Sequence, residues 1–354
     1  MKRFLTFLVP PVLAAATFYL LAPVGSVAEA ASRSFGASWR LTAGRLTSLL
    51  PFSVTELLAA LLILWLVFAI VRIRHLRILG ALILTVTYGA ALFLWFGCAG
   101  YFAPPVYDGV LTNRGITTAE LISAAEYFRD GANRTANSVS RTADGGFNVS
   151  VDEIILLSGD VYDAIAPRFP RLGKSKAVPK KMLSSGLMSR TGFTGVYFAL
   201  TGEANVNADM PRALLAATVA HELAHSRGVA REDAANFFGI AACVTSGIPV
   251  FEYSGYLDGL LYLGNALYNA EPAAYYALSA EYSDAVRRDL KDNSDYWAEI
   301  LTKNDDNPAM AAVSAAVNTA YDGFMRSNGQ DNGLKTYGEC VDLLAEWIAL
   351  REDN

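Results

Sequence analysis

The sequence predicts a mostly helical α+β protein, with N-terminal transmembrane helices followed by a soluble domain. Three observations lead there. Long apolar stretches are confined to residues 1–103, in a chain that is 53% hydrophobic and only 18% charged. Charge divides at the same place: residues 1–103 hold eight Lys and Arg against Glu29 and Glu56, so they carry +6, and a net charge of −5 leaves −11 for the other 251 residues. Beyond residue 103 the apolar residues mostly recur at the 3.6-residue period of amphipathic helices.

The apolar stretches come first. Residues 4–24, 54–73 and 78–103 each approach the roughly 20 residues that span a bilayer, which predicts three transmembrane helices and a lipid bilayer as partner. Lys2 and Arg3 precede the first stretch and small residues follow it, so a cleaved signal peptide is a competing reading. Both readings send residue 30 outward. Arg72, Arg74 and Arg77 between the second and third spans form the densest positive cluster near the membrane and assign that loop to the cytoplasm. The third span then exits on the extracytoplasmic side, which makes the chain a multi-pass protein of the cytoplasmic membrane with its C-terminal domain outside.

Pro104 and Pro105 end the last span and begin a soluble domain over residues 104–354. TTAELISAAEYFRDGAN, VDEIILLSGDVYDAIA, the run from Pro211 to Arg227 and long segments after Glu232 read as helices. FTGVYFALTGEANVN (residues 193–207), rich in aromatic, β-branched and glycine residues, reads instead as a strand or loop edge ahead of the central helix. Asp209 is the expected N-cap of that helix, Pro211 falls in its first turn, and Gly228 stands where a helix ends in the left-handed conformation.

Inside the helix lies HELAH. His221 and His225, four residues apart, share a face, and two imidazoles at that spacing can grip one Zn²⁺ while Glu222 acts as general base on a metal-activated water. With three His and 15 Glu in 354 residues, a chance match is expected on the order of one time in a thousand. The alternative is a pair of histidines satisfied in a helical core. His75, the third histidine, lies in the loop assigned to the cytoplasm, so the third ligand of an open catalytic site must be a carboxylate. Glu232 is the first choice and Asp233 the second; the bland reading of both is a solvated first turn favoured by the helix dipole. Arg231, one position before Glu232, stays protonated and cannot ligate. Asn236, one turn after Glu232, is a candidate to hydrogen-bond that carboxylate or an imidazole, or is an ordinary polar helix residue. With no histidine left, the oxyanion must be stabilised by tyrosine or arginine. Tyr253 and Tyr256 are weighed for this role, although packing is the commoner fate in a chain with 17 tyrosines.

Other classes fit less well. The acidic balance and the absence of a basic run exclude a nucleic-acid footprint. Cys98, Cys243 and Cys340 form no CxxC pair; Cys243 and Cys340 are either a disulfide or two buried thiols. The apolar run before His221 covers only residues 213–220, too short for an intramembrane protease, and the three spans carry no charge away from their ends, which disfavours a transporter.

LPFSVTELL (residues 50–58), TGVYFALTGEANVN (194–207), HELAHSRGVAREDAANF (221–237) and NGQDNGLKTYGECVDLL (328–344) resemble bacterial membrane proteins grouped as domain of unknown function 3810, over nearly the whole chain. The resemblance implies a zincin-like, membrane-anchored metallopeptidase domain with no established substrate. By that pattern His221, Glu222, His225, Glu232 and Asn236 match motif positions, whereas Ala234 stands where many members carry another acid. By analogy with zincins, Gly195 to Leu200 would bind substrate backbone as an edge strand. Glu203, Asn205 and Asn207 would fix the turn into the helix. The expectation is therefore a zinc-dependent peptidase acting on peptides or proteins; the alternative is a non-catalytic, membrane-anchored binding or sensor protein with a closed structural zinc.

Overall fold

The computed structural model describes residues 2–72, 76–328, 330 and 339–352. Most of them are helical, and they form one three-stranded sheet. The first apolar stretch is helix α1 (Lys2–Leu21), with Pro10 and Pro11 inside it. Its apolar part, Thr6–Leu21, is shorter than the two helices that are long and apolar enough to cross a membrane, Val54–Val71 and Arg77–Phe102. These two carry nearly all their side chains on the outside of the structure, unlike the core helices of a water-soluble domain. His75 lies outside the described residues, as do most residues of the predicted cytoplasmic turn.

Between the first two apolar stretches the chain forms a helical arm ending in α2 (Gly36–Thr47), which leads to α3 (Val54–Val71) and α4 (Leu76–Phe93). The arm lies on the C-terminal domain. Trp39 donates its indole N–H to Ala199 O at 3.0 Å, and the Thr47 hydroxyl donates to Thr201 O at 3.2 Å. The arm and the C-terminal domain are thus joined by hydrogen bonds from Trp39 and Thr47.

Its core is built on α5 (Thr118–Thr135), α6 (Arg212–Ser226), α7 (Glu232–Thr245), α8 (Pro249–Ala270) and, after α9 (Asp284–Asp305) and α10 (Pro308–Ser327), α11 (Cys340–Glu352). Leu215, Val219, Phe237, Phe238, Phe251 and Leu257 are fully buried among these helices. Thr117 and Glu120 cap α5 reciprocally, satisfying two otherwise orphaned donors.

The segment read as strand or loop is a hairpin. After β1 (Lys180–Lys181), β2 (Gly195–Phe198) pairs antiparallel with β3 (Glu203–Val206), in the order β1-β3-β2. β2 is thus an edge strand. Glu203 is turned away from the helix it was expected to anchor: its buried carboxylate takes the N–H groups of Val54 and Thr55, at 3.0 and 2.7 Å, and pairs with Lys180 at 2.9 Å. A carboxylate at the first turn of α3 meets the positive end of the helix dipole. Despite burial, Lys180 and these donors hold Glu203 below the ordinary carboxylate range. Glu56, in the same turn, accepts from the N–H groups of Leu183 and Ser184, both at 2.8 Å. Two acids thereby fasten an apolar helix to the sheet.

Candidate metal centre

The site grows from how α6 ends. The Gly228 N–H bonds to His225 O and the Val229 N–H to Ala224 O, with Gly228 at φ +95°, the left-handed turn expected of this glycine. The reversed chain brings Val229 O to 2.7 Å from His225 Nδ1. That carbonyl accepts only, so Nδ1 carries the proton and Nε2 is turned to the opposite side. Three residues later α7 begins, and its first residue, Glu232, points back at α6. α7 lies unusually close here: a Cβ on Gly239 would sit 2.9 Å from His221 N and 3.0 Å from its Cα. Only glycine lets the two helices meet at this level.

Three atoms converge as a result. His221 Nε2 and His225 Nε2 are 3.1 Å apart, and Glu232 Oε2 lies 3.2 and 3.4 Å from them. A tetrahedral ion with ligand bonds of about 2.0–2.1 Å has ligand–ligand edges of about 3.3 Å. The three separations match that edge. Apart from the two imidazoles, Glu232 Oε2 has no hydrogen-bond partner, while Oε1 accepts from the Tyr321 hydroxyl at 2.8 Å. A buried carboxylate oxygen aimed at two imidazole nitrogens could hold a divalent transition-metal ion, and no fourth protein ligand joins the group among the described residues.

The electrostatics agree with the geometry. Burial opposes the charged form of Glu232, but His225 and His221 outweigh it and hold this carboxyl well below its usual range. Burial likewise favours a neutral His225, and the adjacent Glu232 overrides it, raising the imidazole to about 9. The proton so held sits where a metal would. Glu222, between the two histidines, is only 3% exposed, and burial pushes it up to about 7; its Oε2 has no hydrogen-bond partner.

Of the residues nominated from sequence, His221, Glu222, His225 and Glu232 are brought together. Asn236 lines a cavity with His221 and Glu222 and is hydrogen-bonded to Tyr262. Asp233 is turned away: its oxygens pair with Arg231 at 3.2 and 3.3 Å. Asp209 is not the N-cap, which falls at Pro211 with no side-chain bond; its carboxylate instead accepts from Ser189 and Tyr296. Asn207 does hold the turn, accepting from Asp209 N at 2.9 Å and donating to Phe193 O at 3.0 Å. Tyr253 and Tyr256 lie elsewhere, tied to Asp289 and Arg134, so neither reaches an oxyanion. Cys243 and Cys340 are separate buried thiols.

Sequence reading missed four residues. Tyr197, on β2, stacks on the His225 ring with centroids 6.3 Å apart, and its buried hydroxyl has no partner. Tyr321 holds Glu232, and Arg40 reaches the cavity from the arm. Asp258, raised to about 7 by burial, lines the second cavity beside His221. Nothing local in the sequence marks them, because each arrives from an element distant in the chain.

The protein-family model described as "Protein of unknown function (DUF3810)" matches residues 32–345. The chain belongs to this family. The match takes in most of the arm, both long apolar helices and the candidate metal centre. No curated protein and no solved structure matches the chain.

Proposed function

We infer that this DUF3810 protein is a membrane-anchored, zincin-like zinc peptidase that hydrolyses peptide or protein amide bonds. The observation that carries the reading is the convergence of His221, His225 and Glu232 at tetrahedral spacing, with the unpartnered carboxylate of Glu222 beside them. Zn²⁺ held there supplies a Lewis acid and lowers the pKa of water.

The chain's own groups supply the rest. Glu222 takes the proton from the attacking water and passes it to the leaving amine, and a carboxyl buried to titrate near neutrality suits both transfers. Val229 O fixes the His225 tautomer, and Tyr321 fixes Glu232. β2 offers its free edge to an extended substrate, lining one cavity with Glu222 and both histidines. Tyr197, on that strand, has a buried hydroxyl with no partner and a phenol that burial keeps neutral, and we assign it as donor to the oxyanion.

The anchor is multi-pass, with Arg72, Arg74 and Arg77 cytoplasmic and the catalytic body outside. A closed structural zinc would need a fourth protein ligand, and Asp233 is engaged by Arg231.

Glu222→Gln tests the reading. Zinc content of the purified full chain should stay near that of the wild type, while cleavage of a quenched fluorescent peptide library falls by about a hundredfold to ten-thousandfold. Unchanged cleavage by the variant would overturn it.

A further inference from the structure

The metal centre opens into two unlike cavities that meet at His221 and Glu222. One, of about 180 Å³, is walled by Phe93, Phe96, Tyr101, Phe198 and Phe324. Three of these belong to Arg77–Phe102, the apolar helix long enough to cross a membrane. The other cavity, about 530 Å³, has mixed walls, with Met210 and Trp297 as well as Asn236, Asp258, Asn293 and Asn318. The first exceeds the roughly 150 Å³ of an apolar cavity that accommodates benzene, so it takes one large apolar side chain. The second has room for several residues of polar chain.

The membrane-side wall is pressed onto the site. A Cβ on Gly97 would sit 3.3 Å from the Ala199 Cβ, next to β2, and one on Gly100 would sit 2.8 Å from the Ala230 Cβ, in the turn between His225 and Glu232. Distance from the bilayer follows from the sheet. Glu203, on β3, caps the first turn of α3. With strands about 4.8 Å apart, a chain added to the free edge of β2 runs about 10 Å from β3, the strand whose Glu203 side chain makes that cap. Next to that turn Leu49, Phe52 and Leu183 are exposed, Leu183 at 95% and bonded to Glu56 within it. An apolar rim continuous with the ends of the apolar helices belongs at the lipid surface.

We propose that the substrate is the juxtamembrane stretch of a polypeptide with its own membrane anchor, cut close to the bilayer, with a large apolar side chain seated against Arg77–Phe102 and polar residues leading away into the second cavity. The proposal rests on the peptidase reading. A freely diffusing peptide would gain nothing from a wall built by a membrane helix.

The test uses the full chain in phosphatidylcholine–phosphatidylglycerol vesicles. Three forms of one quenched fluorescent peptide containing Phe are compared. One joins a transmembrane helix through a spacer of about six residues, another through about 25 residues, reaching roughly 20 and 80 Å when extended, and the third is free. Both tethered forms share the gain in local concentration, so only the spacer separates them. Cleavage of the short-spacer form should be at least about tenfold faster than of the long-spacer form, at a bond next to Phe mapped by mass spectrometry. Phe96→Ala, which removes part of the apolar wall, should lower the preference for Phe over Ala at that position by about tenfold while zinc content is retained. Equal or faster cutting of the long-spacer or free peptide overturns the proposal and leaves the peptidase reading intact. Failure of the zinc-loaded chain to cut any of the three removes both.

Discussion

Replacing Glu232 by Gln removes the proposed third metal ligand and, with it, the largest cause of the raised pKa of His225. The two effects oppose each other in a way that depends on pH. A structural zinc site in a small protein binds with about 10–16 kcal/mol over four ligands, so one ligand accounts for roughly 3–4 kcal/mol. Against this, the metal-free wild type holds a proton on His225, raised to about 9 chiefly by Glu232 against the opposing effect of burial. Zinc must displace that proton, which at pH 7 costs about two pH units of affinity, or roughly 2.7 kcal/mol. Glu232→Gln removes most of the penalty together with the proposed ligand, leaving only the smaller effects of Glu222 and Val229 O. At pH 7 the net loss should be about 1 kcal/mol, some fivefold to tenfold; at pH 9, where half of the wild-type sites have lost the proton and the penalty has shrunk to about 0.4 kcal/mol, nearly the full loss of about a hundredfold to a thousandfold should emerge. The sign is fixed: a raised pKa means that protonation competes below 9, so wild-type affinity climbs with pH up to there, whereas the variant's stays nearly flat above 7. Competition against a chromophoric zinc chelator, with detergent-solubilised full chain at pH 7 and 9, reads both values. An equal loss at both pH values, or none, would refute Glu232 as the ligand that sets the His225 proton.

Other consequences can be checked on the same preparation. Tyr321→Phe deletes the hydroxyl that donates to Glu232 Oε1, and zinc affinity should fall by about tenfold to a hundredfold with no change in helix content by circular dichroism. Gly239→Ala forces α7 off the backbone of His221; an overpacking penalty of about 1–3 kcal/mol should lower the melting temperature by several degrees, and zinc affinity should fall with it. Lys180→Met leaves a buried carboxylate without its cation, a change of about 3–5 kcal/mol, so the variant should unfold at lower denaturant concentration by tryptophan fluorescence. Glu203 titrates below its unfolded value, so its contribution is present above the unfolded pKa of about 4.3 and is lost as pH falls through the depressed folded value; the variant, with a less depressed pKa, should unfold at a higher pH during acid titration.

Much of the site was legible because its geometry is local. Four residues make about one turn of helix, so HELAH alone sets two imidazoles on one face, and a glycine three residues later reverses the chain whatever surrounds it. Counting histidines then required an acidic third ligand, and α7 begins with it. The choice between Glu232 and Asp233 is a choice between adjacent positions on a helix, about 100° apart around its axis, and packing against α6 decides it. Asp209 was misread for a related reason: capping chemistry was recognised, but the helix starts at Arg212, and a side chain three positions upstream finds Ser189 and Tyr296 instead. The arm left no signal in the sequence because its contacts, among them Trp39 to Ala199 and Thr47 to Thr201, join residues 160 and 154 apart in the chain.

By itself the sequence determined the mostly helical class, the apolar N-terminal segments, the hairpin region before the motif helix, and the candidate group of His221, Glu222, His225 and Glu232, since each follows from periodicity, composition or spacing within one or two turns. Only the tertiary structure decided that Tyr197, Tyr321, Arg40 and Asp258 surround the metal centre, that Glu203 and Glu56 clasp the start of an apolar helix, and that another such helix forms a wall of the cavity. Those contacts are made between distant segments by burial and close packing, which depend on shape in three dimensions and leave no periodic trace along the chain.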